Sequence, residues 1–210
     1  MTEIKDARFW DRIAPRYARD RIKDMHGYER SLSRLSDLIQ GRDVLELGCG
    51  TGQSALHLAP SARQYLGTDI SDGMITIARD RRAAAPAPNL TFRQGTATTL
   101  AAEEARYDVV LGLNYLHLVR DLPATLAHIH QMLRPDGLFV SKTACLAEMT
   151  RAIRLILPLM RLVGRAPHVA IFDTQGLQQA LRRAGFQIDA VEHHASHGRD
   201  TRPFVIARKG

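Results

Sequence analysis

Between residues 44 and 52 the chain reads Val44-Leu45-Glu46-Leu47-Gly48-Cys49-Gly50-Thr51-Gly52. A short apolar run meets three glycines in five residues and then a helical pattern. The glycines let the backbone turn sharply at the end of a buried strand, and a ligand can approach main-chain N–H groups with no Cβ in the way. Seventeen residues past Gly52, at the end of the next apolar run, stands Asp69. A carboxylate placed there can accept hydrogen bonds from both hydroxyls of a ribose. The two features together predict the nucleoside-binding half of a doubly wound α/β sheet.

The rest of the chain has the rhythm such a sheet needs. Strands are expected at Val44–Leu47, Gln64–Asp69, Leu90–Gln94, Tyr107–Leu113, Gly137–Thr143, Phe186–His193 and Arg202–Arg208, with helices at 52–59, 72–83, 121–133 and 174–184. Strand alternating with helix predicts a mostly parallel sheet with right-handed crossovers. The last two strands are joined by a stretch too short for a crossover helix, so the final strand should run antiparallel as a hairpin. Residues 4–40 read as two helices, the first with Phe9, Trp10, Ile13 and Tyr17 at helical spacing, the second with Leu32, Leu35, Leu38 and Ile39. At 210 residues this is one domain, comprising N-terminal helices (1–41), a cofactor-binding core (42–146), a cap insertion (147–166) and the C-terminal part of the sheet (167–210).

Gly50, Gly52 and Ala55 also satisfy a dinucleotide-type G-x-G-x-x-A spacing, which would make the chain a nicotinamide oxidoreductase. Against that stand Glu46, two residues before Gly48, some forty residues ahead of the first strand, and the presence of a single mononucleotide half where a dinucleotide site needs two. Glu46-Leu47-Gly48-Cys49-Gly50-Thr51-Gly52 instead resembles the first motif of class I S-adenosylmethionine-dependent methyltransferases. The resemblance continues at Gly67-Thr68-Asp69-Ile70-Ser71 with Met74, at Tyr107-Asp108-Val109-Val110 with Asn114–Leu118, at Leu133-Arg134-Pro135-Asp136-Gly137-Leu138, and at Ala184-Gly185-Phe186. It covers about residues 40–210 and implies a seven-stranded Rossmann-like sheet of order 3-2-1-4-5-7-6 with strand 7 antiparallel. The implied cofactor is S-adenosylmethionine, bound by Glu46, Gly48, Cys49, Gly50, Gly52, Asp69, Ile70, Met74, Asn114 and Tyr115, with Tyr17 closing over it. After the third strand the family often has an acidic residue for the adenine amino group. Here Gln94-Gly95-Thr96-Ala97 stands instead, leaving the Thr96 hydroxyl or the Ala97 N–H for that contact.

Methyl transfer from a sulfonium is a direct displacement, so the protein mainly aligns donor and acceptor, excludes water, and removes a proton where the acceptor needs it. Candidates should come from the carboxyl ends of the strands. His117, after the fourth strand, is the expected general base, because an imidazole titrates near neutrality. Lys142, at the end of the fifth strand, is expected to orient the acceptor. His194 should also reach the acceptor from the last hairpin. His193, His194 and His197 alternate about a strand without a completing cysteine or carboxylate, so no metal is expected.

The formal net charge is +7. Residues 43–141 carry 8 basic and 10 acidic side chains, whereas residues 142–166 hold Lys142, Arg151, Arg154, Arg161 and Arg165 against Glu148. With only 6% aromatic residues there is little to stack on bases, so nucleic acid is not an expected partner. At 100° per residue the four arginines form one stripe on an otherwise apolar helix, with Pro158 splitting it. The segment should cap the site and present Ile153, Leu157 and Met160 to a small, largely apolar acceptor. An interfacial alternative is peripheral contact with an anionic membrane and a lipid or quinone acceptor. A donor-binding module without chemistry is the remaining class. The longest apolar stretch, Leu155 to Met160, is far too short to span a bilayer, and Cys49 and Cys145 are too few for a disulfide framework; a cytoplasmic enzyme is expected.

Overall fold

The computed structural model describes residues 2–85, 87–103, 106–149, 167–198 and 200–210. In chain order the elements are α1 (Thr2–Tyr17), α2 (Met25–Ile39), β1 (Asp43–Leu47), α3 (Gln53–Leu58), β2 (Gln64–Asp69), α4 (Asp72–Ala84), β3 (Leu90–Gln94), α5 (Ala97–Ala101), β4 (Tyr107–Leu113), α6 (Leu122–Met132), β5 (Leu133–Lys142), α7 (Thr174–Arg183), β6 (Phe186–Glu192) and β7 (Phe204–Lys209). The strands form one seven-stranded sheet in the order β3-β2-β1-β4-β5-β7-β6. Pairing is parallel except that β7 runs antiparallel to both β5 and β6, as the short final connection requires.

Alternation along the strands sends side chains into two separate apolar layers. Val44, Val109, Leu138 and Val140 face a cluster with Leu32, Leu35 and Ile39 of α2, Leu58 of α3 and Ile75 of α4. Leu45, Leu47, Val110 and Phe139 face the opposite cluster, with Leu126 and Ile129 of α6 and Leu177 and Leu181 of α7. Because both faces of β1 and β4 are covered, adjacent residues such as Val44-Leu45 and Val109-Val110-Leu111 are apolar, a run that Glu46 interrupts in β1.

Helix starts are set by polar side chains. Asp24, Ser71, Asp121 and Asp173 accept from backbone N–H groups at the first turns of α2, α4, α6 and α7, each contributing about 1 kcal/mol. Helix α5 was not expected. Its signal was the pair Thr96 and Thr99, whose hydroxyls reciprocally cap one another's backbone. Strand β5 begins at Leu133 rather than Gly137, because Leu133 already pairs with Tyr107 across a bulge that absorbs the Pro135-Asp136 turn. Helix α1 buries only Ala14. Its Phe9, Trp10 and Tyr17 form an edge-to-face aromatic row instead of a core face.

Candidate active site

β1 and β2 end together, Leu47 pairing with Thr68, so Gly48 and Asp69 leave neighbouring strands side by side at the carboxyl edge. The glycine loop then turns through positive φ at Gly48, Gly50 and Gly52. Two of these glycines are also steric necessities. A Cβ at Gly48 would lie 2.7 Å from Tyr115 Cδ2, and one at Gly52 would lie 2.6 Å from Phe92 Cζ. Gly50 differs: in front of it only Tyr17 Cε1 comes within 4 Å, at 3.7 Å, so its backbone faces open space.

The Gly50 N–H donates to Asp69 Oδ2 and the Ser71 N–H to Asp69 Oδ1, both at 2.9 Å. Each oxygen keeps a lone pair for a further donor. Burial pushes this carboxyl up, against the pull of the Ser71, Gly50 and Ile70 N–H groups. Asp69 opens into a cavity of about 600 Å³ lined by Gly48, Gly50, Ile70, Met74, Thr96, Ala97, Asn114, Tyr115 and Tyr17. Thr96 caps α5 and Ala97 opens it, and both stand on the wall of this cavity.

Helix α1 roofs this cavity and is tied down at both sides. Asp11 Oδ1 accepts from Ser71 Oγ at 2.6 Å and from the Gly73 N–H at 3.0 Å. Asp6 takes two bonds from Arg120, at 2.6 and 2.8 Å. Arg81 ties the glycine loop to the end of α1, donating to Thr51 Oγ1 at 2.7 Å and to the Ala18 carbonyl at 2.8 Å. Asp6, Asp11, Arg81 and Arg120 escaped the reading of the sequence, since their partners lie 30 or more residues away and no local pattern marks them.

A second cavity of about 600 Å³ adjoins the first and shares Tyr17, Gly48, Gly50, Leu113 and Asn114 with it. Its further lining includes Tyr28, Ser31, Leu32, Leu35, Glu46, Cys49, Lys142 and Arg202. Asn114, at the junction, holds φ +54 and donates its N–H to the Lys142 carbonyl at 2.7 Å. Left-handed backbone at a non-glycine residue is tolerated best by asparagine, and it is concentrated at functional sites. Glu46 accepts from the Tyr65 hydroxyl at 2.9 Å, and burial pushes its carboxyl up to about 7. Burial also raises the Cys49 thiol, which keeps it protonated and unreactive.

Three expected site residues lie elsewhere. Gly52 starts α3 and packs on Phe92, outside the described lining of both cavities. His117 is likewise outside that lining: Thr143 Oγ1 accepts from its backbone N–H at 3.1 Å and meets its Nδ1 at 2.8 Å. Burial holds its imidazole down to about 4, so it is neutral at physiological pH. His194 is 8% exposed and stacked on Phe204, with Nδ1 3.0 Å from Ser31 Oγ and Nε2 3.0 Å from Glu192. It stands behind Ser31 rather than in the cavity. Ile153, Leu157, Met160 and the arginine stripe lie outside the described residues. The chain flanking them is fixed at the carboxyl edge, where the Ala170 N–H donates to the His117 carbonyl and the Thr174 N–H to Glu148. Among the described residues no cluster could hold a metal, and no helix is long and apolar enough to cross a membrane.

The site therefore offers a buried carboxylate beside glycine backbone with free space before it, and a more polar chamber adjoining it across Gly48, Gly50 and Asn114. That fits a nucleoside joined to an amino acid. Residues 17–191 match the model of the methyltransferase domain family. A ubiquinone biosynthesis O-methyltransferase of Azorhizobium caulinodans is 31% identical over 65% of this chain and 57% of its own length. A fatty-acid O-methyltransferase of Mycolicibacterium smegmatis is 30% identical over 65% and 60%. The chain spans less than two thirds of the length of these curated relatives. Among solved structures, magnesium protoporphyrin IX methyltransferase of Synechocystis PCC 6803 superposes with a TM-score of 0.70 at 17% identity, over 100% of this chain and 98% of that one. The chain belongs to the methyltransferase domain family, in the class I S-adenosylmethionine-dependent group.

Proposed function

We propose that the chain transfers a methyl group from S-adenosylmethionine to a small organic acceptor held in the second cavity. The observation that carries this is the junction of the two cavities at Gly48, Gly50 and Asn114, with Asp69 committed to the first and Lys142 to the second. Bound S-adenosylmethionine supplies a methyl group on a sulfur that leaves without further activation. The chain's own work is positional. Asp69 holds a ribose, the Gly48–Gly52 loop presents backbone, Thr96 and Tyr115 flank the base, and α1 with Tyr17 keeps water out. Ile22, Tyr28 and Leu113 offer an apolar body of the acceptor its wall, while Ser31 and Lys142 meet its polar end. Of the relatives, one is named for ubiquinone biosynthesis and one for fatty acids, and both are O-methyltransferases, in line with an acceptor that joins an apolar body to a polar oxygen.

Calorimetric titration with S-adenosylmethionine, S-adenosylhomocysteine and a nicotinamide dinucleotide tests the donor half. Binding of the first two in the micromolar range is expected, with none for the third. Mass spectrometry of products across phenols, carboxylates, amines and thiols tests the transfer. Donor binding with no product from any class would leave a binding module instead.

A further inference from the structure

The second cavity has an uneven balance of satisfied charges. Its acidic side chains are largely spent on the fold. Asp24 accepts from the Gly27 N–H at 2.9 Å and the Ser196 N–H at 2.8 Å. Asp200 accepts from the N–H groups of His194, Ala195 and Arg202, at 2.8 to 3.0 Å. Glu46 is buried on Tyr65, and only Asp20, at the rim beside Tyr17, is uncommitted among the described residues.

The cations are in the opposite state. Lys142 Nζ donates to Ser31 Oγ at 2.7 Å and makes no ion pair among the described residues. An ammonium has three hydrogens, so two remain without a protein acceptor. Ser31 cannot move to serve better, because its hydroxyl is 2.8 Å from the Gly27 carbonyl one turn back along α2 and touches His194 on the other side. The Lys142 backbone is pinned as well, by the Asn114 N–H. Arg202 lines the same chamber, also without an ion pair among the described residues; burial lowers the Lys142 ammonium, Asp200 works against that, and the charge of Arg202 adds to it. Asp200 and Asp24 offset part of this with their charges, yet neither pairs directly with the ammonium, since both carboxylates are turned onto backbone N–H groups. An anion brought between the two cations would relieve both.

We propose that Lys142 and Arg202 form the anchor for a carboxylate on the acceptor. This rests on the proposed function and narrows its acceptor to amphiphilic carboxylates: an apolar body on Tyr28 and Leu113, with a head between the two cations. The anchor belongs to the acceptor and not to the donor because of its place in the sheet. Asp69 ends β2, and Lys142 ends β5, three strand spacings away, or about 14 Å.

The test is titration of protein saturated with S-adenosylhomocysteine, using octanoate, octan-1-ol and octyl phosphate as probes. Octanoate is expected to bind at least tenfold more tightly than octan-1-ol. The double variant Lys142→Met with Arg202→Gln should bring the two within twofold of each other while leaving S-adenosylhomocysteine affinity within twofold. Lys142→Arg should keep at least half of the preference on a logarithmic scale, and Arg202→Gln alone, a rim substitution, should lower it measurably in a protein that melts as wild type does. Equal binding of octanoate and the alcohol, or no octanoate binding at millimolar concentration, overturns the anchor. So does tighter binding of octyl phosphate with the same dependence, which assigns a phosphate head. A tenfold loss of S-adenosylhomocysteine affinity in the variants also overturns it, by giving the cations to the donor's own carboxylate. Wild-type protein that fails to bind S-adenosylhomocysteine at all breaks the proposed function instead, so the two failures are separable.

Discussion

The two edges of the sheet treat their charges differently. At the amino edge, Asp43 pairs with Arg63 and with Arg134, and Asp108 pairs with Arg134 at 2.6 Å while also accepting the Asp43 N–H at 2.8 Å. These pairs staple the starts of β1 and β4 to the Arg134 turn. At the carboxyl edge Asp69 is oriented by two N–H groups but faces a cavity, Glu46 is held half-protonated, and Lys142 has one hydroxyl for a partner. One edge spends its charge on the fold. The other spends Asp6, Asp24 and Asp200 on the fold but keeps Asp69 and Lys142 for a ligand, at a cost in stability that the amino edge and the two apolar layers offset.

The contrast is sharpest at Asp69. Asp69→Asn should lower S-adenosylhomocysteine affinity at least tenfold, since a charge-assisted hydrogen bond is worth about 1.5–3 kcal/mol. Calorimetry checks it, and unchanged affinity would break the division of labour between the edges.

Asp108→Asn should do the reverse. It should cost about 1 kcal/mol in denaturant melts, discounted because these side chains are partly exposed, and leave donor affinity within twofold. The guanidinium of Arg63 holds the Asp43 carboxyl below its ordinary value, and Arg134 does so for Asp108 against burial. Both groups are therefore depressed in the folded state. Their stabilisation is complete above the ordinary carboxylate pKa of about 4 and is lost as pH falls below it.

His117 marks a boundary within the carboxyl edge. Its imidazole sits at about 4 in the folded chain because burial disfavours the charge, against about 6.5 unfolded. Protons thus bind the unfolded chain first: stability is full above about 6.5 and declines as pH falls from there to about 4. His117→Gln should flatten the melting temperature across that window. Turnover should stay within about threefold, as fits a side chain seated on Thr143, whereas a fall of about 10² would restore it as the proton acceptor.

The smallest effect concerns Glu46. Its carboxyl near 7 lines the second cavity beside the glycine loop, where the amino-acid end of the proposed donor would reach. An ammonium nearby would lower that value, so donor binding at pH 7 should release roughly half a proton. Calorimetry in buffers of different ionisation enthalpy reads this number, and Glu46→Gln should bring it to zero.

Much of this was written locally in the chain. The glycine loop, Asp69 and the alternation of strands with helices specify the sheet and the donor edge, because strand period, positive φ and helix capping depend on residues within a few positions of one another. The short final connection likewise dictates an antiparallel β7. What lay beyond reach was every decision made between distant segments. His117 and Lys142 both follow strands that end at the same edge, and nothing in their neighbourhoods tells that one faces Thr143 and the other a cavity. His194 looked like an acceptor contact, yet packing of α2 against the last hairpin places Ser31 in front of it. Asp6, Asp11, Arg81 and Arg120 gain their meaning only when α1 folds back across the sheet. Local backbone chemistry determines which elements form and which edge they offer. Which side chain at that edge keeps an unspent charge is set by long-range packing, because a hydrogen-bond partner from elsewhere in the chain either arrives or does not.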